Sequence, residues 1–150
     1  MVQPMTQRQR DYAPQQPRMI EDFFSYEVDF LNLGAGSATS NITIEASSDF
    51  RWIKGCYFAD IATAAQTDST RVVPLCTVLI TDSGSGQQLS SVAVPVPSLF
   101  GTGQFPFINP VSRIFSARSS IQVTVNNFSV ASTYNLRLSF IGAKIYKFGG

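Results

Sequence analysis

Residues 134–148 read YNLRLSFIGAKIYKF, and the first half of this run alternates cleanly. Leu136, Leu138 and Phe140 fall on one side of an extended chain, with Asn135, Arg137 and Ser139 on the other. Successive side chains of a strand point to opposite faces, so a period of two means a strand with one buried face. The same reading extends upstream through SSIQVTVNN (119–127) and VSRIFSA (111–117). FFSYEVDFL (23–31) sets Tyr26, Val28 and Phe30 against Glu27 and Asp29, and SNITIEA (40–46) sets Ile42 and Ile44 on one side. FRWIKGCYFA (50–59) is an aromatic strand in which strict alternation groups Phe50, Trp52 and Lys54. TRVVPLCTVLITD (70–82) is another, interrupted at Pro74, and the turn DSGSG leads back into QQLSSVAV (87–94).

Turn signals such as GAGS and DSGSG recur along the chain, the signature of a sandwich or barrel. About seven or eight antiparallel strands in one domain predict an all-β fold, a two-sheet sandwich of jelly-roll type. The one helix expected is a short one over DIATAAQ (60–66). Residues 1–20 are rich in Gln, Pro and Arg and read as an extended N-terminal arm, leaving 21–150 as the sandwich domain. Arg8, Arg10, Tyr12 and Arg18 in that arm are residue types enriched at interfaces.

The 150 residues include no histidine, which removes Ser-His-Asp and Cys-His catalysis and every His-ligated metal site. The Gly-x-Gly pieces GAGS, GSGQQ and GTGQF lack a third glycine and a following helix, so they read as turns and not as phosphate cradles. Glu27 and Asp29 share a strand face about 7 Å apart, the spacing of a carboxylate pair or, more simply, of a solvated face. Trp52, Tyr57 and Phe58 offer either a sugar-stacking platform or core packing. Cys56 and Cys76 sit in apolar strand runs and read as reduced, buried thiols. The opening MVQPMTQRQR has no apolar core of a secretory signal, and no apolar run suits a membrane-spanning helix. The expectation is therefore no catalytic residue, no cofactor, no metal, no membrane and no specific nucleic acid.

Charged residues make up only 14% of the chain, which leaves little to hold its surface away from other surfaces. They are also unevenly placed: residues 21–82 hold nine acids against three basic residues, and residues 83–150 hold five basic residues and no acid. Opposed faces would let subunits meet acid to base, whereas interleaved strands would mix the charges. The segment LFGTGQFPFINPVSR (99–113) combines three phenylalanines with two prolines and two glycines. Phe100, Phe105 and Phe107 must be hidden over the end of the sandwich or against another subunit, since an exposed cluster invites aggregation. Arg113 is expected to anchor this crossover on backbone carbonyls or an acidic neighbour.

The order GTGQFPFINPVSRIF, ARSSIQVTVNN, TYNLRLSFIGAKIYKF resembles small virion proteins of tailed bacteriophages over roughly residues 20–148. The acidic strand near Tyr26 and the phrase TDSGSGQ are similar to that group as well. The resemblance implies a non-enzymatic structural role as a capsid decoration or cement protein. Its partners would be the major capsid protein or other virion proteins, with self-association into a dimer or trimer and assembly in the host cytoplasm. The alternative is a tail, neck, vertex or spike component acting as an adaptor or as a host-glycan binding module.

Overall fold

The computed structural model describes residues 18–62 and 71–148. Nine strands account for most of it: β1 (Arg18–Leu33), β2 (Gly36–Thr43), β3 (Asp49–Ile61), β4 (Cys76–Asp82), β5 (Gln87–Gln88), β6 (Val94–Pro95), β7 (Phe107–Phe115), β8 (Ser120–Asn127) and β9 (Tyr134–Phe148). A single helical turn, α1 (Val96–Leu99), precedes the crossover to β7. A four-stranded sheet has the order β1-β9-β3-β7, and a five-stranded sheet has the order β2-β8-β4-β5 with β6 also pairing to β4. All these pairings are antiparallel. The chain crosses from one sheet to the other at nearly every connection, which is the jelly-roll wrapping of a two-sheet sandwich.

The core is the space between the sheets. Tyr26, Val28 and Phe30 of β1 and Leu136, Leu138 and Phe140 of β9 face Val78 and Ile80 of β4 and Ile121, Val123 and Val125 of β8. Each fully buried Leu, Ile or Phe side chain contributes about 1.5–3 kcal/mol relative to exposure. At its centre Trp52 stacks on Phe100 at 5.7 Å between ring centroids and tilts against Phe140 at 4.8 Å.

β3 departs from strict alternation. Its pairing with both neighbours slips between Trp52 and Lys54, a bulge that turns Ile53 and Lys54 away from the core. Lys54 therefore pairs with Ile141 and leaves the face it was expected to share with Phe50 and Trp52. Gly142 lies opposite Trp52, and a Cβ there would sit 1.8 Å from the Arg51 carbonyl oxygen. The close approach of β9 to the bulge thus requires glycine.

Polar stitches close the ends of the sandwich. Buried Asn127 donates from Nδ2 to the carbonyls of Leu33 (2.9 Å) and Ser132 (3.1 Å), tying the β1–β2 corner to the β8–β9 loop. At the opposite end Lys144 pairs with Glu45, its ammonium 3.8 Å from the Phe24 ring centroid, and the Glu45 N–H donates to Tyr26 Oη at 3.1 Å.

Several boundaries differ from the sequence reading. Residues 1–17 of the expected arm lie outside the described residues, and Arg18–Ile20 already belong to β1. Asp60 and Ile61, expected to begin a helix, end β3 instead, while 63–66 lie outside the described residues. β4 starts only at Cys76, after buried Pro74, because proline cannot donate to the ladder. The QQLSSVAV run is split into two short edge pieces, β5 and β6. Cys56 and Cys76 are both free, the first half-buried and the second buried.

Candidate interaction surface

The outer faces of the two sheets differ in chemistry. On the five-stranded sheet, the positions that alternate with the core include Thr39, Asn41, Gln122, Thr124 and Asn126, an uncharged polar face with Thr39 and Thr124 hydroxyls 3.0 Å apart. The outer face of the four-stranded sheet carries Phe23, Leu31, Ile53, Phe58, Ile108 and Ile114, every one an exposed large apolar side chain. Phe23 is 79% and Ile108 is 66% exposed. Phe23, Ile53, Ile108 and Ile141 line one shallow depression of about 380 Å³, while Leu31 and Phe58 border another with Asp29 and Arg137. Exposed apolar clusters of this kind mark contact surfaces.

Charge on this face is interleaved, not segregated. β9, whose charged residues are all basic, lies between the acidic strand β1 and β3, which carries two acids and two basic residues. Arg137 grips Asp29 with two bonds of 2.6 and 3.0 Å, and Arg51 reaches Glu21 at 3.1 Å across β9, roofing the buried Ala143 and Ile145. Among the described residues the charges of the two parts of the chain mix on this face, as interleaved strands require.

The Glu27 and Asp29 pair is engaged in the sheet. The hydrogen bond from Arg137 holds the Asp29 carboxyl below the usual carboxylate range. Glu27 accepts from the hydroxyls of Ser25 (2.8 Å) and Ser139 (2.6 Å). A general acid needs a raised value, and Asp29 is pushed the other way. Among the described residues no group of three or more His, Cys, Asp or Glu is placed to hold a metal ion. Asp60 is buried with neither carboxylate oxygen hydrogen-bonded among the described residues, a single acid without a ligand cluster. No helix among the described residues is long and apolar enough to cross a membrane.

The sequence-derived interface residues scatter. Arg8, Arg10 and Tyr12 lie outside the described residues, and Arg18 opens β1 opposite Phe148. Phe100 is fully buried in the core, Phe105 is 79% exposed on the crossover, and Phe107 is half-buried at the start of β7. The three phenylalanines thus do not form one patch. Gly101 explains the tight crossover, since a Cβ there would meet the Phe105 carbonyl oxygen at 2.0 Å. Arg113 does meet an acidic neighbour: its Nη2 lies 2.9 Å from Asp82 Oδ2 and 3.1 Å from Ser85 Oγ. Beside it, a bulge at residues 109–112 in β7 opens a cleft of about 440 Å³ bounded by Gln88, Leu99, Phe107 and Asn109.

The sugar platform does not form. Trp52 is 3% exposed and faces the core, Tyr57 packs half-buried against that core, and only Phe58 is on the outer face. Sequence reasoning missed the apolar outer face because its residues come two each from three strands, β1, β3 and β7, that are far apart along the chain. Phe23 and Ile108 were legible only as members of apolar runs. No family model, curated protein or solved structure matches the chain.

Proposed function

We propose that this chain is a structural subunit of a bacteriophage virion, a decoration or cement protein that binds the assembled capsid shell. The observation that carries this reading is the apolar outer face of the four-stranded sheet, led by exposed Phe23 and Ile108, on a jelly-roll sandwich. A face of this chemistry stays in water only at the risk of aggregation, and burying it against a capsid subunit removes that risk. The mechanism is mass action: a ligand that binds only the assembled shell stabilises it, by about 2.7 kcal/mol per site at a hundredfold excess over Kd. Exposed Phe105 and Val111, on the crossover and the β7 bulge, extend the apolar contact area at the adjoining edge.

The test is co-sedimentation of the purified chain with capsids of its phage that lack it, followed by imaging of the labelled protein on the particle. Retention on the shell that is lost in Phe23→Ser/Ile108→Ser, with the variant still folded by circular dichroism, is the expected result. Label confined to the neck, tail or vertex would replace the cement role with an adaptor role. Absence of any particle binding would end the reading.

A further inference from the structure

β7 and β5 are edge strands of opposite sheets, and the cleft of about 440 Å³ lies where they face each other. It opens because residues 109–112 of β7 bulge away from β3 opposite Ile53. Trp52 is its buried floor, with the indole N–H already donated to the Lys54 carbonyl at 2.9 Å. Leu89, Leu99 and Phe107 are half-buried walls, and Gln88 and Val111 stand exposed at the mouth. A concave, mostly apolar lining with a few polar groups is the usual build of a ligand site.

Arg113 is the one charged side chain in that lining, and its guanidinium is incompletely used. Nη2 takes both acceptors, Asp82 and Ser85, whereas Nε and Nη1 have none among the described residues. Nε is the only buried side-chain nitrogen among the described residues without an acceptor. Leaving a buried charged donor unpaired is unfavourable, so an acceptor carried into the cleft gains what that donor lacks. In the depression beside Leu31, by contrast, Arg137 already directs Nε and Nη2 at Asp29. Asp82 decides the charge of the missing acceptor. It balances Arg113, so a carboxylate in the cleft would add a negative charge with no cation of its own. A neutral carbonyl oxygen supplies lone pairs without that penalty.

We propose that this cleft takes one apolar residue of an extended segment of the capsid partner. Its side chain would pack on Leu89, Leu99 and Phe107, and its backbone carbonyl oxygen would accept from Arg113. An N-acetylated sugar carries the same amide, but its ring needs an open aromatic face, and Trp52 is only 3% exposed. A branched aliphatic or aromatic side chain suits the leucine walls better. The inference rests on the reading of the chain as a shell-binding subunit, and it names the chemistry that the shell presents.

Titration of the full chain with N-acetyl-leucinamide tests it, followed by the fluorescence of Trp52, the only tryptophan, and by the Arg113 Nε–H resonance. Saturable binding with a Kd on the order of a millimolar is expected, at least fivefold tighter than for isocaproate, which carries the same side chain on a carboxylate. Arg113→Lys keeps a cation for Asp82 without the further guanidinium N–H groups and should weaken binding at least fivefold. Gln88→Phe fills the mouth from an exposed position and should do the same, which keeps the test decisive if Arg113→Lys does not fold. No saturable change in either signal overturns the inference, as does binding that Gln88→Phe leaves intact. Tighter binding of isocaproate would mark an anion site, and tighter binding of N-acetylglucosamine a sugar site, and either result overturns it too. No capsid enters this titration, so the cleft can fail while capsid retention stands, and the reverse.

Discussion

Arg113 Nη2 lies 2.9 Å from Asp82 Oδ2, an ion pair that ties the outermost strand of the four-stranded sheet to an inner strand of the five-stranded one. Asp82 points into the sandwich after Cys76, Val78 and Ile80, so without Arg113 a carboxylate would sit at the core's edge. Burial raises the Asp82 carboxyl, but bonds from Arg113, Ser85 and the Gly84 N–H outweigh it and leave it below its ordinary value.

Removing that cation should destabilise the fold. Arg113→Ala is expected to cost about 2 kcal/mol, less than for a fully buried pair because the arginine is one-third exposed. Because the folded carboxyl value is depressed, its contribution is present above the unfolded value of about 4 and lost as pH falls through the folded one. Urea midpoints measured from pH 6 to pH 2 should decline more gently in Asp82→Asn than in wild type. Equal slopes would mean that other carboxylates dominate acid unfolding.

Gly142→Ala should be severe although it adds one methyl group. The new Cβ would meet the Arg51 backbone at 1.8 Å, and neither β9 nor the β3 bulge can move without disturbing Trp52. A loss of about 3 kcal/mol or more is expected in thermal or urea unfolding. Gly34→Ala, where a Cβ meets nothing within 4 Å, provides the control and should change stability by less than about 0.5 kcal/mol.

The phenylalanines of the crossover separate into folding and surface roles. Phe100→Ser should cost about 3–5 kcal/mol, since the ring is fully buried against Trp52 and Phe140. Phe105→Ser should leave the melting temperature nearly unchanged while lowering capsid retention or raising solubility. A large stability loss in Phe105→Ser would show that the exposed ring packs in solution.

The two thiols should differ in reactivity. Burial raises both, and it pushes the Cys76 thiol up to about 11. Thiolate is the reactive form, so iodoacetamide at pH 8 should label Cys56 slowly and Cys76 only after denaturant is added. Intact mass should show one label on the native chain. Two labels at equal rates would contradict the burial of Cys76.

Much of the fold was legible along the chain. The alternation of Leu136, Leu138 and Phe140, the turn at DSGSG and the prolines of the crossover each act over a few residues. Local geometry therefore carried the strands and the two-sheet class. The bulge at Ile53 was not legible, because it answers the close approach of Gly142, nearly ninety positions away.

By itself the sequence determined an all-β chain with few charges, no histidine and a basic proline-flanked segment ahead of its first strand. Those properties belong to composition and to side chains within a few residues of each other. Only the tertiary structure decided that β9 runs between β1 and β3, that Trp52 is core, and that Arg113 finds Asp82. It alone gathers Phe23, Ile53, Ile108 and Ile114 on one outer face. The reason is physical: strand neighbours and register are set by burial across the whole sandwich, and a single slip exchanges the inner face for the outer.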